Sequence, residues 1–136
     1  HKHFFDYKYN SNIDVILFRG VLHHMYDPEK AIKIALQNSE EILMLEPNGY
    51  NPILKILEKF SKYHIEHEER SFFLKTIKIW CRKSGGNKIS SKYVNLIPFF
   101  CPKIMVFLLT KISPIIEKIP LLRNVCLGQV IIHCKK

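Results

Sequence analysis

Two short apolar runs, IDVILF at 13–18 and EILMLE at 41–46, enclose the segment DPEKAIKIALQN at 27–38, and the reading of these three decides the fold. The first run is rich in β-branched residues and lies between Asn10-Ser11-Asn12 and Gly20. A continuous apolar stretch of that length between turn residues predicts a buried strand. In the middle segment Asp27 stands where an N-cap belongs, Pro28 takes the first helical position and Glu29 lies near the positive helix end. Ala31, Ile34 and Ala35 share one face, so a helix through about Asn38 follows. The second run predicts another buried strand, closed by the turn Pro47-Asn48-Gly49. Asn51-Pro52 repeats the cap-and-proline device, and Ile53, Ile56, Leu57 and Phe60 trace an amphipathic helix. Strand, helix, strand, helix with short links predicts parallel βαβ architecture.

Beyond Phe60 the pattern is less regular. Phe73, Leu74, Ile77 and Trp80 form a helical stripe within 71–83, and Gly85-Gly86 supplies the expected C-terminal stop. Residues 89–99 alternate as a strand does, and QVIIHC at 129–134 predicts a last one. Between them, residues 100–123 are strongly apolar but divided by Pro102, Pro114 and Pro120 and by Lys103, Lys111 and Lys118. A membrane-spanning helix needs about 20 apolar residues, so this segment predicts two short helices instead, packed on the sheet or lying on an apolar surface.

The chain has 136 residues, 47% of them hydrophobic and 24% charged, which excludes disordered and low-complexity classes. Its net charge of +9 is unevenly placed. Residues 1–50 carry 5 basic and 7 acidic side chains, residues 51–100 carry 10 and 4, and residues 101–136 carry 6 and 1. The basic remainder would attract nucleic acid, anionic lipid or an acidic partner, or is simply a solvated surface; no nucleic-acid recognition motif accompanies it, which makes a nucleic-acid partner the weakest of these. Cys81, Cys101, Cys126 and Cys134 form no CxxC pair, which argues against a zinc knuckle and a disulfide framework and for a reducing, cytoplasmic compartment. HIEHEER at 64–70 lacks the HExxH zinc pattern, since Ser71 stands four residues after His67, so no metal site is expected and the stretch reads as a charged helix end or a lid. Residues 1–12 are polar and aromatic rather than basic and then apolar, so no signal peptide is expected in them.

DVILFRGVLHHMYDPEKAI at 14–32 resembles the fourth strand and following helix of class I S-adenosylmethionine-dependent methyltransferases, and ILMLEPNGYNP at 42–52 is similar to their fifth strand and its loop. The remaining elements follow the same order, in which the last strand inserts between the fifth and sixth. The resemblance implies a partial Rossmann-like doubly wound sheet, parallel strands followed by an antiparallel closing pair, with a helical insertion at about 100–125. It also implies S-adenosyl-L-methionine as cofactor. The family's glycine-rich loop has no counterpart, because glycines stand only at 20, 49, 85, 86 and 128. A complete sheet of this kind needs about 200 residues, so residues 1–136 are expected to be the C-terminal part of a single methyltransferase domain and to be inactive alone.

The resemblance also implies site residues. Ligands of open α/β sheets sit beyond the carboxyl ends of strands. Arg19 and Gly20 would pass beside the methionine part of the cofactor, and Asp6-Tyr7 would meet the adenine amino group, or Asp6 is an ordinary loop residue. His23 and His24 are the candidate catalytic pair, because an acceptor oxygen or acidic carbon must lose a proton and histidine titrates near neutrality; the alternative is packing and positioning. Glu46, Asn48, Tyr50 and Asn51 are candidate acceptor or cofactor contacts, or turn chemistry. The apolar residues 99–122 would cover an acceptor site, which points to a small-molecule or lipid-like acceptor, or to core packing. The competing expectation is a non-catalytic remnant or interaction subunit of a methyltransferase-like protein. An unpaired sheet edge would promote self-association.

Overall fold

A computed structural model of the chain describes residues 4–6, 13–62, 70–97 and 103–136. Four strands form one sheet: β1 (Ile13–Arg19), β2 (Ser39–Pro47), β3 (Lys88–Val94) and β4 (Gln129–Lys135), in the spatial order β1-β2-β4-β3. β1 and β2 are parallel, from Ile13 opposite Ser39 to Arg19 opposite Leu45. β4 enters between β2 and β3 and runs antiparallel to both. The predicted α/β architecture, with its closing antiparallel pair and inserted last strand, is the one observed.

The helices are α1 (Pro28–Asn38), α2 (Pro52–Phe60), α3 (Leu74–Lys83), α4 (Lys103–Lys118) and α5 (Pro120–Cys126). Both sequence-read N-caps form: the Asp27 carboxylate accepts from Lys30 N at 2.9 Å, and Asn51 Oδ1 accepts from Ile53 N and Leu54 N. Such caps satisfy backbone donors that a helix start leaves unpaired. α3 begins at Leu74, with the first stripe residue Phe73 as its N-cap, and just before it the Ser71 N–H and hydroxyl are both held by the Glu58 carboxylate of α2. It ends as expected, with Gly85 at φ +96° and Gly86 N donating to Cys81 O at 2.9 Å. A side chain at Gly86 would overlap the Cys134 sulfur, so the helix end can approach β4 only as glycine.

The core lies on one face of the sheet. Phe18, Ile42, Met44, Val130, Ile132 and Cys134 meet Ala31, Ile32, Ala35 and Leu36 of α1 and Ile77 and Cys81 of α3, all essentially buried. The α1 stripe is thus Ala31-Ile32-Ala35-Leu36, with Ile34 only half-buried. The other face is open: Val15 is 49% and Leu17 58% exposed, beside half-buried Leu43 and Leu45 of β2. A sheet normally buries both apolar faces of its parallel strands. Among the described residues the outer edge of β1 has no strand beside it.

The segment expected to hold two short, proline-divided helices differs in one respect. α4 runs 16 residues straight through Pro114, and the break falls at Ile119-Pro120. Proline removes the bond to the Thr110 carbonyl, but Thr110 is exposed and water can take its place. α4 packs chiefly on α5. Val94, Gln129 and Pro47 lie side by side at the carboxyl end of the parallel strands, so the α4–α5 excursion rises from that end, as α2 does. No described helix is long and apolar enough to cross a membrane.

Candidate functional site

The carboxyl ends of β1 and β2 are tied together by Glu46. β1 ends at Arg19, and Gly20, at φ +61°, turns the chain while its N–H donates to Leu45 O at 2.8 Å. That backbone conformation suits glycine, which has no Cβ to clash. The turn Leu22–His24 follows as a short 3₁₀ helix. Glu46 points to the core side of β2 and is 1% exposed. Its Oε1 accepts from Val21 N at 3.2 Å and Leu22 N at 3.0 Å, while Oε2 lies 2.7 Å from His23 Nδ1. Three donors therefore satisfy a carboxylate that would be costly to bury alone. With the carboxylate as acceptor, Nδ1 of His23 is the donor of this pair.

His23 is 8% exposed, and its Cε1 edge faces Gly20. The exposed His24 ring lies against it, with centroids 4.1 Å apart and planes at 41°. The structure thus brings Gly20, His23, His24 and Glu46 into one cluster. Arg19 is exposed at the strand end, on the open side of the sheet. Asp6 ends the 3₁₀ turn Phe4–Asp6, whose Phe4 ring meets Phe18 at 5.5 Å. Tyr7 lies outside the described residues, as do His64 and His67.

The amides of Asn48 and Asn51 face a different way. Asn48 is fully buried; its Nδ2 donates to Asn124 O at 2.8 Å and Leu127 O at 2.7 Å, and its Oδ1 accepts from Tyr50 N at 3.0 Å. Asn51 Nδ2 donates to Cys126 O at 3.0 Å. Both side chains fasten the loop after β2 to the α5–β4 junction. Tyr50 is 39% exposed and leans on Phe73, with ring centroids 5.0 Å apart.

Tyr50 also borders an open cleft of about 460 Å³, walled by Lys75, Lys78 and Arg82 of α3, Tyr93 of β3 and Leu121 of α5. Burial pushes the Tyr93 phenol up, with Tyr50 adding to the effect and Arg123 opposing it. The sequence reading passed over this basic wall, although Lys75, Lys78 and Arg82 follow the i, i+3, i+7 spacing of one helix face. Cys81 and Cys134 meet in the core, and burial pushes both thiols up, which keeps them protonated and unreactive. Among the described residues no group of three or more His, Cys, Asp or Glu side chains could hold a metal ion.

The fold recurs in known methyltransferases. A SAM-dependent methyltransferase from Archaeoglobus fulgidus superposes with a TM-score of 0.59 at 10% identity, over 92% of this chain and 60% of that one. Phosphoethanolamine N-methyltransferase 2 of Haemonchus contortus, in complex with phosphomonomethylethanolamine and S-adenosylhomocysteine, gives 0.63 at 15% identity, over 98% and 36%. A small RNA methyltransferase gives 0.56 at 14%, over 99% and 15%. No family model matches the sequence, and no curated protein matches it either. The fold is that of SAM-dependent methyltransferases of class I, and the chain spans 60% or less of these three proteins.

Proposed function

We propose that the chain is the C-terminal half of an S-adenosylmethionine-dependent methyltransferase acting on a small-molecule or lipid-like acceptor, inactive alone. The observation that carries this reading is the half-built sheet: order β1-β2-β4-β3, an apolar face left open and, among the described residues, no strand beside β1. A complementary segment would add a parallel strand at that edge, cover Val15 and Leu17 and bring the glycine loop. Unfilled, the same edge favours self-association. The free thiols of Cys81, Cys126 and Cys134 suit a reducing cytoplasmic setting.

The residues present fit one wall of a cofactor site only. The Arg19–Leu22 loop, bent at Gly20 and braced by Glu46, offers backbone groups at the strand end, with Asp6 and Tyr7 as the proposed adenine side. The bound cofactor would supply an electrophilic methyl group on a sulfonium centre. Within the chain, His24 is the better placed candidate base, since its ring is exposed at the mouth. His23 is a positioning residue, fixed by Glu46 and stacked on His24. Tyr50 is the one proposed acceptor contact whose side chain reaches the surface; Asn48 and Asn51 would shape the mouth from behind.

Calorimetric titration with S-adenosylmethionine tests this reading. The 136-residue chain should show no binding at micromolar ligand, whereas a chain continued upstream in its reading frame through a strand and glycine loop should bind saturably. Saturable binding by the short chain, or none by the longer one, would overturn the proposal. In the longer enzyme His24→Gln should cut turnover and leave cofactor affinity near normal.

A further inference from the structure

Among the described residues nineteen large hydrophobic side chains are exposed, and twelve of them lie on α2, α4, α5 and the residue joining the last two. They are ordered rather than scattered. On α4, Ile104, Leu108, Ile112 and Ile115 recur at helical spacing and are 69, 52, 45 and 60% exposed. Leu109, Ser113 and Ile116, a third of a turn away, are the half-buried positions toward the body. Along the other border of the exposed stripe run Lys103, Lys111 and Lys118, all exposed, with Phe107 among them beneath the Lys111 ammonium at 4.5 Å. α5, on which α4 packs, presents Leu121, 73% exposed, and α2 exposes Ile53, Ile56 and Phe60 at 63, 58 and 72%.

We infer that this surface docks on an anionic lipid bilayer, with α4 lying in the headgroup plane. Three observations select that occupant. An apolar stripe bordered by lysines is the pattern of an interfacial helix, whose apolar side enters the acyl boundary while the cations meet lipid phosphates. The charge is one-sided: residues 103–126 carry Lys103, Lys111, Lys118 and Arg123 against Glu117 alone. The helix is also too short to cross a bilayer, with 16 residues and Pro114 within it. A covering protein segment of the kind the open sheet face needs would add beside β1, whereas α4 and α5 join β3 to β4 at the opposite end of the sheet. The cationic cleft wall of Lys75, Lys78 and Arg82 adjoins Leu121 and adds to the attraction. Because α2, α4 and α5 all rise from the carboxyl end of the parallel strands, docking turns the mouth of the candidate site toward the membrane. The inference does not depend on methyl transfer.

Vesicle flotation of the full chain tests it. The chain should float with phosphatidylcholine vesicles containing phosphatidylglycerol and not with pure phosphatidylcholine, and 0.5 M salt should weaken the association, since added salt shortens the reach of surface charges. Each lysine near an anionic surface is worth about fivefold in partitioning, so replacing Lys103, Lys111 and Lys118 with glutamine should cost about a hundredfold. Leu108→Asp with Ile112→Asp should abolish flotation. All five positions are solvent-exposed, and unchanged circular dichroism and Trp80 fluorescence would show that the fold is intact. Flotation with neither vesicle type, equal flotation of the lysine variant, or a self-association that hides α4 and blocks vesicle binding would each overturn the inference.

Discussion

Replacing Glu46 puts the brace between the two parallel strand ends to the test. In Glu46→Ala, the buried Leu22 N–H loses its acceptor and His23 Nδ1 loses a charged partner at 2.7 Å; the Val21 N–H, on a residue 41% exposed, can turn to water. An orphaned buried donor costs about 1–3 kcal/mol and a hydrogen bond to a charged group about 1.5–3 kcal/mol, so the sum is about 2.5–6 kcal/mol. Domains of this size are stable by only about 5–15 kcal/mol, so the loss is large enough to read without ambiguity. Glu46→Gln keeps one oxygen for Val21 N and Leu22 N and gives up the charge, at about 1–2 kcal/mol. The amide must then present its NH₂ to His23, which moves the ring proton from Nδ1 to Nε2. Urea denaturation followed by Trp80 fluorescence measures the stabilities, and nitrogen chemical shifts of labelled histidine report the tautomer. A Glu46→Ala cost below about 1 kcal/mol, or a His23 tautomer indifferent to Glu46→Gln, would refute the brace.

Two further outcomes follow from named contacts. Asn48→Asp would place a carboxylate against the Asn124 and Leu127 carbonyls, which are now met by Nδ2, and should lower stability by about 3 kcal/mol or more in thermal melts near neutral pH; a melting temperature equal to the parent's would contradict the role given to that amide. Burial pushes the Glu58 carboxyl up, but the Ser71 hydroxyl, the Lys55 ammonium and the Ser71 N–H together hold it below its ordinary value of 4.5. A carboxyl lowered on folding contributes stability that is full above its unfolded value and is lost as pH falls through the folded one. Stability measured between pH 5 and pH 3 should therefore fall less steeply in Glu58→Gln than in the parent, and parallel acid limbs would exclude the contact.

Local signals were the legible ones. Asp27-Pro28 and Asn51-Pro52 announce helix starts because cap and helix lie within four residues of each other, and Gly85-Gly86 announces a stop for the same reason. The strand order was legible only through the family resemblance, since pairing of Glu41 with Lys135 spans most of the chain. Site residues divided along the same line. His23 and Glu46 were both read as candidates, but that one would hold the other depends on β1 and β2 lying in register. Asn48 and Asn51 looked like mouth residues, and their partners stand 75 to 79 positions away, where no periodicity can point. The apolar stripe of α2 was correctly amphipathic in pattern, yet its exposure depends on what surrounds it and not on its own spacing.

β4 lies inside the sheet although it follows every other described element in the chain. During synthesis β3 therefore emerges with no neighbour, and β2 keeps one open edge until residues 129–135 have left the ribosome. The Asn48 and Asn51 amides wait on the same event, since their carbonyl partners precede β4 by a few residues. Closure of the sheet is a late, long-range step that carries a large loop-closure entropy, so the nascent chain exposes two pairing-competent edges for the time needed to make about 40 residues.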